Sequence, residues 1–205
     1  HRWQGWDQAG HLLFRDGQGA SRAVDAPATL LALGGASWPR LGADGGWVPL
    51  LAALGTRIAP LRPANCGLRV DWTPLLRDGF AGQPLKPVAL TFGGVRVQGE
   101  CIVTAGGLEG GAIYALAAAL RDAIATEGGA TLTLDLRPHL SEAELARRLG
   151  ARGGAPSLGT LLRKAGGLSP LQAALLREAP GPLPADPLAL ARRIKTLPLR
   201  LTGTA

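Results

Sequence analysis

Thr131-Leu132-Thr133-Leu134-Asp135-Leu136-Arg137-Pro138-His139-Leu140-Ser141-Glu142-Ala143-Glu144 changes its period halfway along. Thr131 to Leu136 alternates, with three leucines on one face, which is the pattern of a strand with one buried side. After Arg137-Pro138 the alternation stops. Ser141-Glu142-Ala143-Glu144 is a capping box, with Leu140 and Leu145 placed as its hydrophobic staple. A strand therefore hands the chain to a helix at Pro138, and the fold turns on what lies on either side of that point.

Downstream, the caps continue. Ser157 is placed to start a second helix running to Ala165. Ser169-Pro170-Leu171-Gln172 supplies N-cap, N1 proline and N3 glutamine for a third, and Asp186-Pro187 opens a fourth. None exceeds about three turns, so each needs neighbours for stability. Leu197–Leu201 then reads as a returning strand.

Upstream, Leu68–Trp72, Val88–Phe92, Val95–Val97 and Cys101–Val103 are strand-length pieces parted by Gly and Pro. Ile113, Leu116, Ala117, Leu120 and Ile124 form one helical stripe, ended by Gly128-Gly129. From His1 to Val24, short runs separated by Asp7–Gly10 and Asp16–Gly19 read as a β-meander. Thr29–Leu33 is a continuous apolar run, predicted to be a buried strand. A Gly/Pro-rich loop follows to Gly46, then a short helix from Trp47 to Leu54 closed by Gly55. The expected class is α+β: a β-rich module interrupted by a helical one.

Composition bounds the function. The chain has 205 residues, 46% hydrophobic and 18% charged, which excludes a disordered segment. No run approaches the roughly 18 apolar residues of a membrane helix. Cys66 and Cys101 allow at most one bridge, so reduced, buried cysteines in a cytoplasmic protein are the expectation. The net charge is +7, but residues 1–100 carry 10 basic and 7 acidic side chains and residues 101–205 carry 12 and 8. That spread is not the clustered stripe of a nucleic-acid footprint. The densest cluster, Arg147, Arg148 and Arg152, reads as a solvated face. There is no Met, and the chain starts at His1, which points to processing or excision from a longer protein.

Few residues carry obvious chemistry. There is no P-loop, no Gly-x-Ser-x-Gly elbow, no His-Glu-x-x-His and no metal-like Cys/His cluster. His1, His11 and His139 are far apart in sequence. Gly17-Gln18-Gly19 lacks the third glycine of a dinucleotide motif and reads as a hairpin turn. Glu100 and Glu109 read as structural. Ser37 is the one serine without a capping or turn role. It lies in Gly34-Gly35-Ala36-Ser37-Trp38-Pro39-Arg40-Leu41-Gly42-Ala43-Asp44-Gly45-Gly46, where glycines expose backbone N–H groups and let a ligand approach. A ligand loop and a tight turn that packs Trp38 are equally good readings of that spacing. In Thr104–Gly111, Glu109 argues against a phosphate and favours a structural helix start.

Leu31-Ala32-Leu33-Gly34-Gly35-Ala36-Ser37-Trp38-Pro39, with Gly42 and Asp44-Gly45, resembles a signature of the aminoacetone-oxidase-like NAD(P)/FAD-dependent flavoproteins. Further pieces of the resemblance follow in order: Leu61–Cys66, Gly99-Glu100, Thr104 with Gly107–Gly110, Asp135–Pro138, Ile194–Leu197 and Thr202–Thr204. The resemblance implies an FAD domain of the two-dinucleotide-binding type, interrupted by a barrel-like insert that carries a small helical bundle. Residues 1–61 would be a partial FAD-domain segment made of the meander, the buried strand and the short helix. Residues 62–136 would be the β-rich insert with one helix, 137–196 the helical subdomain and 197–205 the returning strand.

Gly34, Gly35, Ser37, Trp38, Pro39, Gly42, Asp44 and Gly45 would line FAD, with no catalytic residue and no metal site assigned. The implied partners are a small-molecule substrate and NAD(P)H as electron donor, with neither nucleic acid nor membrane. The family's Gly-x-Gly-x-x-Gly motif is not among these 205 residues, so the resemblance implies the central, excised portion of a larger enzyme. On that reading the portion alone binds little or no FAD. Two competing readings are a basic nucleic-acid-binding barrel and an inert structural insert.

Overall fold

The computed structural model describes residues 1–151 and 157–205, and they fall into two compact units, His1–Pro63 and Ala64–Ala205. Among these residues the fold is α+β, with antiparallel sheets and eight α-helices. Arg152, the last member of the arginine cluster, lies outside the described residues.

In the first unit, β1 (Arg2–Trp6), β2 (Leu12–Arg15) and β3 (Ser21–Val24) form an antiparallel meander. Aspartates build both turns by the same device. Asp7 accepts the backbone N–H groups of Ala9 and His11, and Asp16 those of Gln18 and Ala20, all at 2.9–3.0 Å. The His11 N–H is the main reason the Asp7 carboxyl sits below its usual range; for Asp16 it is the Ala20 N–H. A bulge between Trp3 and Gly5 (φ 99°) interrupts the β1–β2 register. The unit ends with a 3₁₀ turn at Pro39–Leu41 and α1 (Val48–Ala52), beyond which Gly55 takes φ 78°.

Thr29–Leu33 is not a strand. Those residues have no ladder partner among the described residues, and Leu30 is 90% exposed. An apolar run becomes a buried strand only where a sheet accepts its backbone groups, and the three-stranded meander does not take it.

The second unit is built on one seven-stranded antiparallel sheet. Its strands are β4 (Leu68–Arg69), β5 (Pro84–Phe92), β6 (Val95–Thr104), β7 (Gly107–Glu109), β8 (Ala130–Asp135), β9 (Leu197–Leu201) and β10 (Gly203–Thr204). The order is β10-β4-β7-β6-β5-β8-β9. The two edge strands are consecutive in sequence, with only Thr202 between them. One segment therefore pairs with β8 on one side and with β4 on the other, closing the sheet into a barrel. Thr202 N–H donates to the Arg69 carbonyl at 3.0 Å and Ala205 N–H to that of Gly67 at 2.9 Å, sealing the joint. Inside are Leu68, Leu90, Val103, Leu108, Leu132, Leu134, Leu199 and Leu201, all buried.

Several elements differ from expectation, each for a local reason. Only Leu68–Arg69 of the Leu68–Trp72 run is strand, because Val70 N–H turns to the Gly106 carbonyl and Trp72 N–H to that of Val70. Val95–Val97 and Cys101–Val103 are one strand, since Gly99 keeps its pairing with Val88. The Ile113–Ile124 helix is two, α3 (Gly111–Tyr114) and α4 (Ala117–Glu127). Leu116 N–H reaches back only three residues, to Ile113, and breaks the i−4 ladder. The Thr104–Gly111 loop contains β7, and a Cβ at Gly107 would overlap the Leu68 carbonyl. Helix α2 (Pro74–Phe80) follows Thr73-Pro74, an N1-proline signal that the sequence reading passed over.

The helical segment holds α5 (Glu142–Gly150), α6 (Leu158–Lys164), α7 (Pro170–Glu178) and α8 (Pro187–Lys195). All four predicted caps form: Ser141, Ser157, Ser169 and Asp186 accept the N–H of Glu144, Thr160, Gln172 and Ala189. The reciprocal arm of the capping box is made at Ser169–Gln172. At Ser141, Glu144 instead clasps Arg147 and Arg148, which hold its carboxyl down at about 2.

Candidate functional site

The glycine loop of the first unit is shaped by three left-handed glycines, Gly34 (φ 68°), Gly42 (φ 89°) and Gly45 (φ 71°). A β-carbon is strained at each of these positions. Trp38 and Ala43 exchange two backbone hydrogen bonds of 3.2 and 3.1 Å, and the Trp38 carbonyl also accepts Leu41 N–H at 2.9 Å. These bonds clasp the Pro39–Leu41 turn, with Gly42 as the left-handed residue that lets it close. A Cβ on Gly45 would meet that of Ala36 at 3.1 Å, so the loop folds back tightly on itself there.

Asp44 anchors the far end. Its Oδ1 accepts Gly46 N–H and its Oδ2 takes the Arg2 guanidinium, both at 2.9 Å. The Gly46 N–H, and then the Arg2 charge, hold the carboxyl below its usual range.

Beside the loop lies a cleft of about 510 Å³. Pro39, Gly42 and Asp44 line it, together with Arg2, Trp3, Arg40 and Trp47. A second hollow of about 500 Å³, under Leu31–Gly34, shares the Trp47 ring. The structure thus brings four of the eight predicted residues, Gly34, Pro39, Gly42 and Asp44, to a cavity wall. Gly35, Ser37, Trp38 and Gly45 line neither cavity. Ser37 is exposed and the Trp38 ring is 67% exposed, so the packed-tryptophan alternative for this loop does not hold.

Sequence reasoning missed Arg2, Trp3, Arg40 and Trp47. Trp3 falls unremarked within the His1–Val24 meander and Trp47 reads only as a helix start, and no spacing rule links them. The indole Nε1–H of each is buried with no acceptor among the described residues. The cleft falls within the range of about 300–1,000 Å³ typical of small-molecule sites. Together with the exposed loop backbone, its size fits one end of a flavin nucleotide.

The family-like pieces of the second unit meet at structural joints. Asp135 on β8 is 2% exposed, yet it accepts Arg96 (2.9 Å), Lys195 (2.8 Å) and the Arg137 N–H (2.9 Å). Lys195 also donates to the carbonyls of Arg137 and Leu140. Asp135–Pro138 and Ile194–Leu197, about sixty residues apart, therefore clamp the barrel to its helices. Gly107–Glu109 and Gly203–Thr204 flank β4 at the barrel seam. Every group in that network has its partner, which makes it architecture. Cys66 and Cys101 are free and buried, and burial pushes the Cys101 thiol up to about 12. Among the described residues no three His, Cys, Asp or Glu side chains stand together as a metal site. No helix among them is long and apolar enough to cross a membrane.

Residues 62–205 match a family model described as the HI0933-like protein barrel and H2TH domain. That span covers most of the chain and coincides with the closed barrel and its helices. No curated protein matches the chain.

Proposed function

The chain belongs to the HI0933-like family, whose intact members are FAD-associated oxidoreductases, and from that membership we propose that it is the central portion of an aminoacetone-oxidase-like flavoenzyme. FAD supplies the redox chemistry when bound; the chain supplies binding and orientation. Gly34, Gly42 and Asp44 present loop backbone to the flavin, with Ser37 and Trp38 exposed toward the same cofactor. Residues 1–61 are the FAD-domain segment. The barrel and its helices cover the substrate side, a small molecule is the substrate and NAD(P)H is the electron donor. Buried, reduced cysteines support a cytoplasmic location.

The observation that carries this reading is the loop beside the 510 Å³ cleft, shaped by left-handed glycines. The test is flavin content in the protein encoded by the whole reading frame. That protein purifies yellow with one FAD per chain, and Gly42→Val lowers FAD affinity about tenfold or more by straining the turn. A colourless intact protein overturns the proposal.

A further inference from the structure

Arg2 is an odd residue for its strand. It opens β1, and the ladder sets it directly opposite Arg15 on β2. Like charges facing each other across an antiparallel pair are unfavourable, so the meander gains nothing from an arginine there. Its guanidinium pairs instead with Asp44, 42 residues on, at 2.9 Å.

Asp44 divides its two oxygens. Oδ1 accepts Gly46 N–H at 2.9 Å and Oδ2 takes Arg2, so one carboxylate fixes the end of the glycine loop and ties it to β1. A β-carbon on Gly46 would meet Arg2 Nη2 at 2.9 Å and Asp44 Oδ1 at 3.0 Å. Both charged groups therefore lie against the Gly46 backbone, in the space a side chain would fill. The other hydrogen bonds of the loop run between Trp38 and Val48, and none among the described residues reaches the meander. Arg2, Asp44 and Gly46 all line the 510 Å³ cleft. Its strand side and its loop side are thus joined by one ion pair.

We infer that Arg2 is a positioning residue: through Asp44 it holds the Gly34–Gly46 loop against β1 in the form that receives the cofactor, without meeting the cofactor itself. This deepens the flavin reading and rests on it.

The test uses the flavin-free form of the protein encoded by the whole reading frame, with two readouts. FAD affinity is taken from the quenching of flavin fluorescence, and amide exchange of residues 34–47 from mass spectrometry. The variants are Arg2→Ala, Arg2→Lys, Asp44→Asn, the Arg2→Ala/Asp44→Asn double and Arg22→Ala. Asparagine keeps the acceptor for Gly46 N–H and loses only the charge that Arg2 pairs with. Arg22 is about as exposed as Arg2 and pairs with Asp16 at 3.2 Å in the same meander, off the cleft.

Arg2→Ala and Asp44→Asn each weaken FAD about threefold and speed loop exchange by a like factor, the size of an exposed ion pair. The double variant is no weaker than either single one, because both break the same tie. Arg2→Lys restores part of the affinity, since a cation still faces Asp44. Arg22→Ala changes neither readout.

Where the wild type binds FAD, unchanged affinity or unchanged loop exchange in Arg2→Ala overturns the inference and leaves the flavin reading standing. If Arg2→Ala weakens FAD and Asp44→Asn does not, Arg2 meets the cofactor directly and the positioning role falls. An Arg22→Ala effect equal to that of Arg2→Ala means general loosening, and the inference falls as well. A wild type that takes up no FAD overturns the flavin reading alone, and loop exchange then decides the Arg2 tie. Faster, non-additive exchange in both single variants supports the tie, and unchanged exchange overturns it.

Discussion

Asp135 occupies the outer face of β8, opposite the inward Leu132, Leu134 and Leu136, and alternation alone assigns such a face to solvent. The helical segment and Arg96 cover it instead, which is why its role was hidden while the leucines were legible. Replacing Asp135 by Leu leaves Lys195 buried without its counter-charge and is expected to cost about 3–5 kcal/mol. Asp135→Leu combined with Lys195→Met removes both charges and recovers part of that loss. Urea midpoints of the two variants check this, and equal midpoints would mean that the clamp is not the cause. Cys101 makes the pH prediction. Its folded-state thiol is raised to about 12 from 9.0, first by burial and then by the Glu100 charge. The raised group stabilises the fold fully below pH 9. Above that the unfolded chain loses the proton first, so stability falls as pH rises toward 12. Between pH 9.5 and 11 the wild type should lose about 1.4 kcal/mol per pH unit more than Cys101→Ala. Parallel pH profiles for the two proteins would remove Cys101 from the alkaline limb.

At the scale of elements, the helix starts were readable because their signals are local: a hydroxyl or carboxylate accepts an N–H three residues on, and no distant residue is needed. Thr29–Leu33 was misread, and β4 and α3–α4 were misjudged in extent, because those boundaries depend on partners. Leu68–Arg69 stops where Val70 finds the Gly106 carbonyl, a choice that spacing does not encode. Gln172 joins the two kinds of information. Its Oε1 completes the Ser169 capping box at 3.0 Å, and its Nε2 reaches the Leu136 carbonyl at 3.1 Å, at the end of the β8 run. It is buried, so both ends of the amide must be met. Ser169→Ala is expected to cost about 1 kcal/mol. Gln172→Leu fits the space but strands the Ser169 N–H and the Leu136 carbonyl, and is expected to cost about 2–4 kcal/mol. Thermal unfolding of both variants ranks them, and a Gln172→Leu protein no weaker than Ser169→Ala would show that the tie to β8 contributes nothing.

For the whole molecule, the two units differ in what holds them. Every buried large hydrophobic side chain among the described residues, from Leu68 to Leu201, belongs to the second unit. There, Leu197–Ala205 returns after the helices to join both free edges of the sheet, so the barrel closes only when the last strand arrives. A closed sheet has no edge to protect and a continuous core to cooperate. The first unit has a hydrogen-bonded meander and turns, but Leu30, Leu41, Leu54 and Trp38 face outward. With these apolar side chains exposed and no large hydrophobic side chain buried, the unit has little core of its own to hold it together. Residues 64–205 are therefore expected to unfold in one cooperative urea transition whose midpoint matches that of the main transition of the 205-residue chain. Residues 1–63 alone should bind a hydrophobic dye and melt without a sharp transition. Removing Thr202–Ala205 from the 64–205 fragment takes away β10 and both seal hydrogen bonds, exposing the β4 edge, and should lower the midpoint and promote association. A truncated fragment that stays monomeric with an unchanged midpoint would show that the barrel does not depend on its closing strand. Loss of cooperative unfolding in intact 64–205 would place part of its stability in the first sixty-three residues.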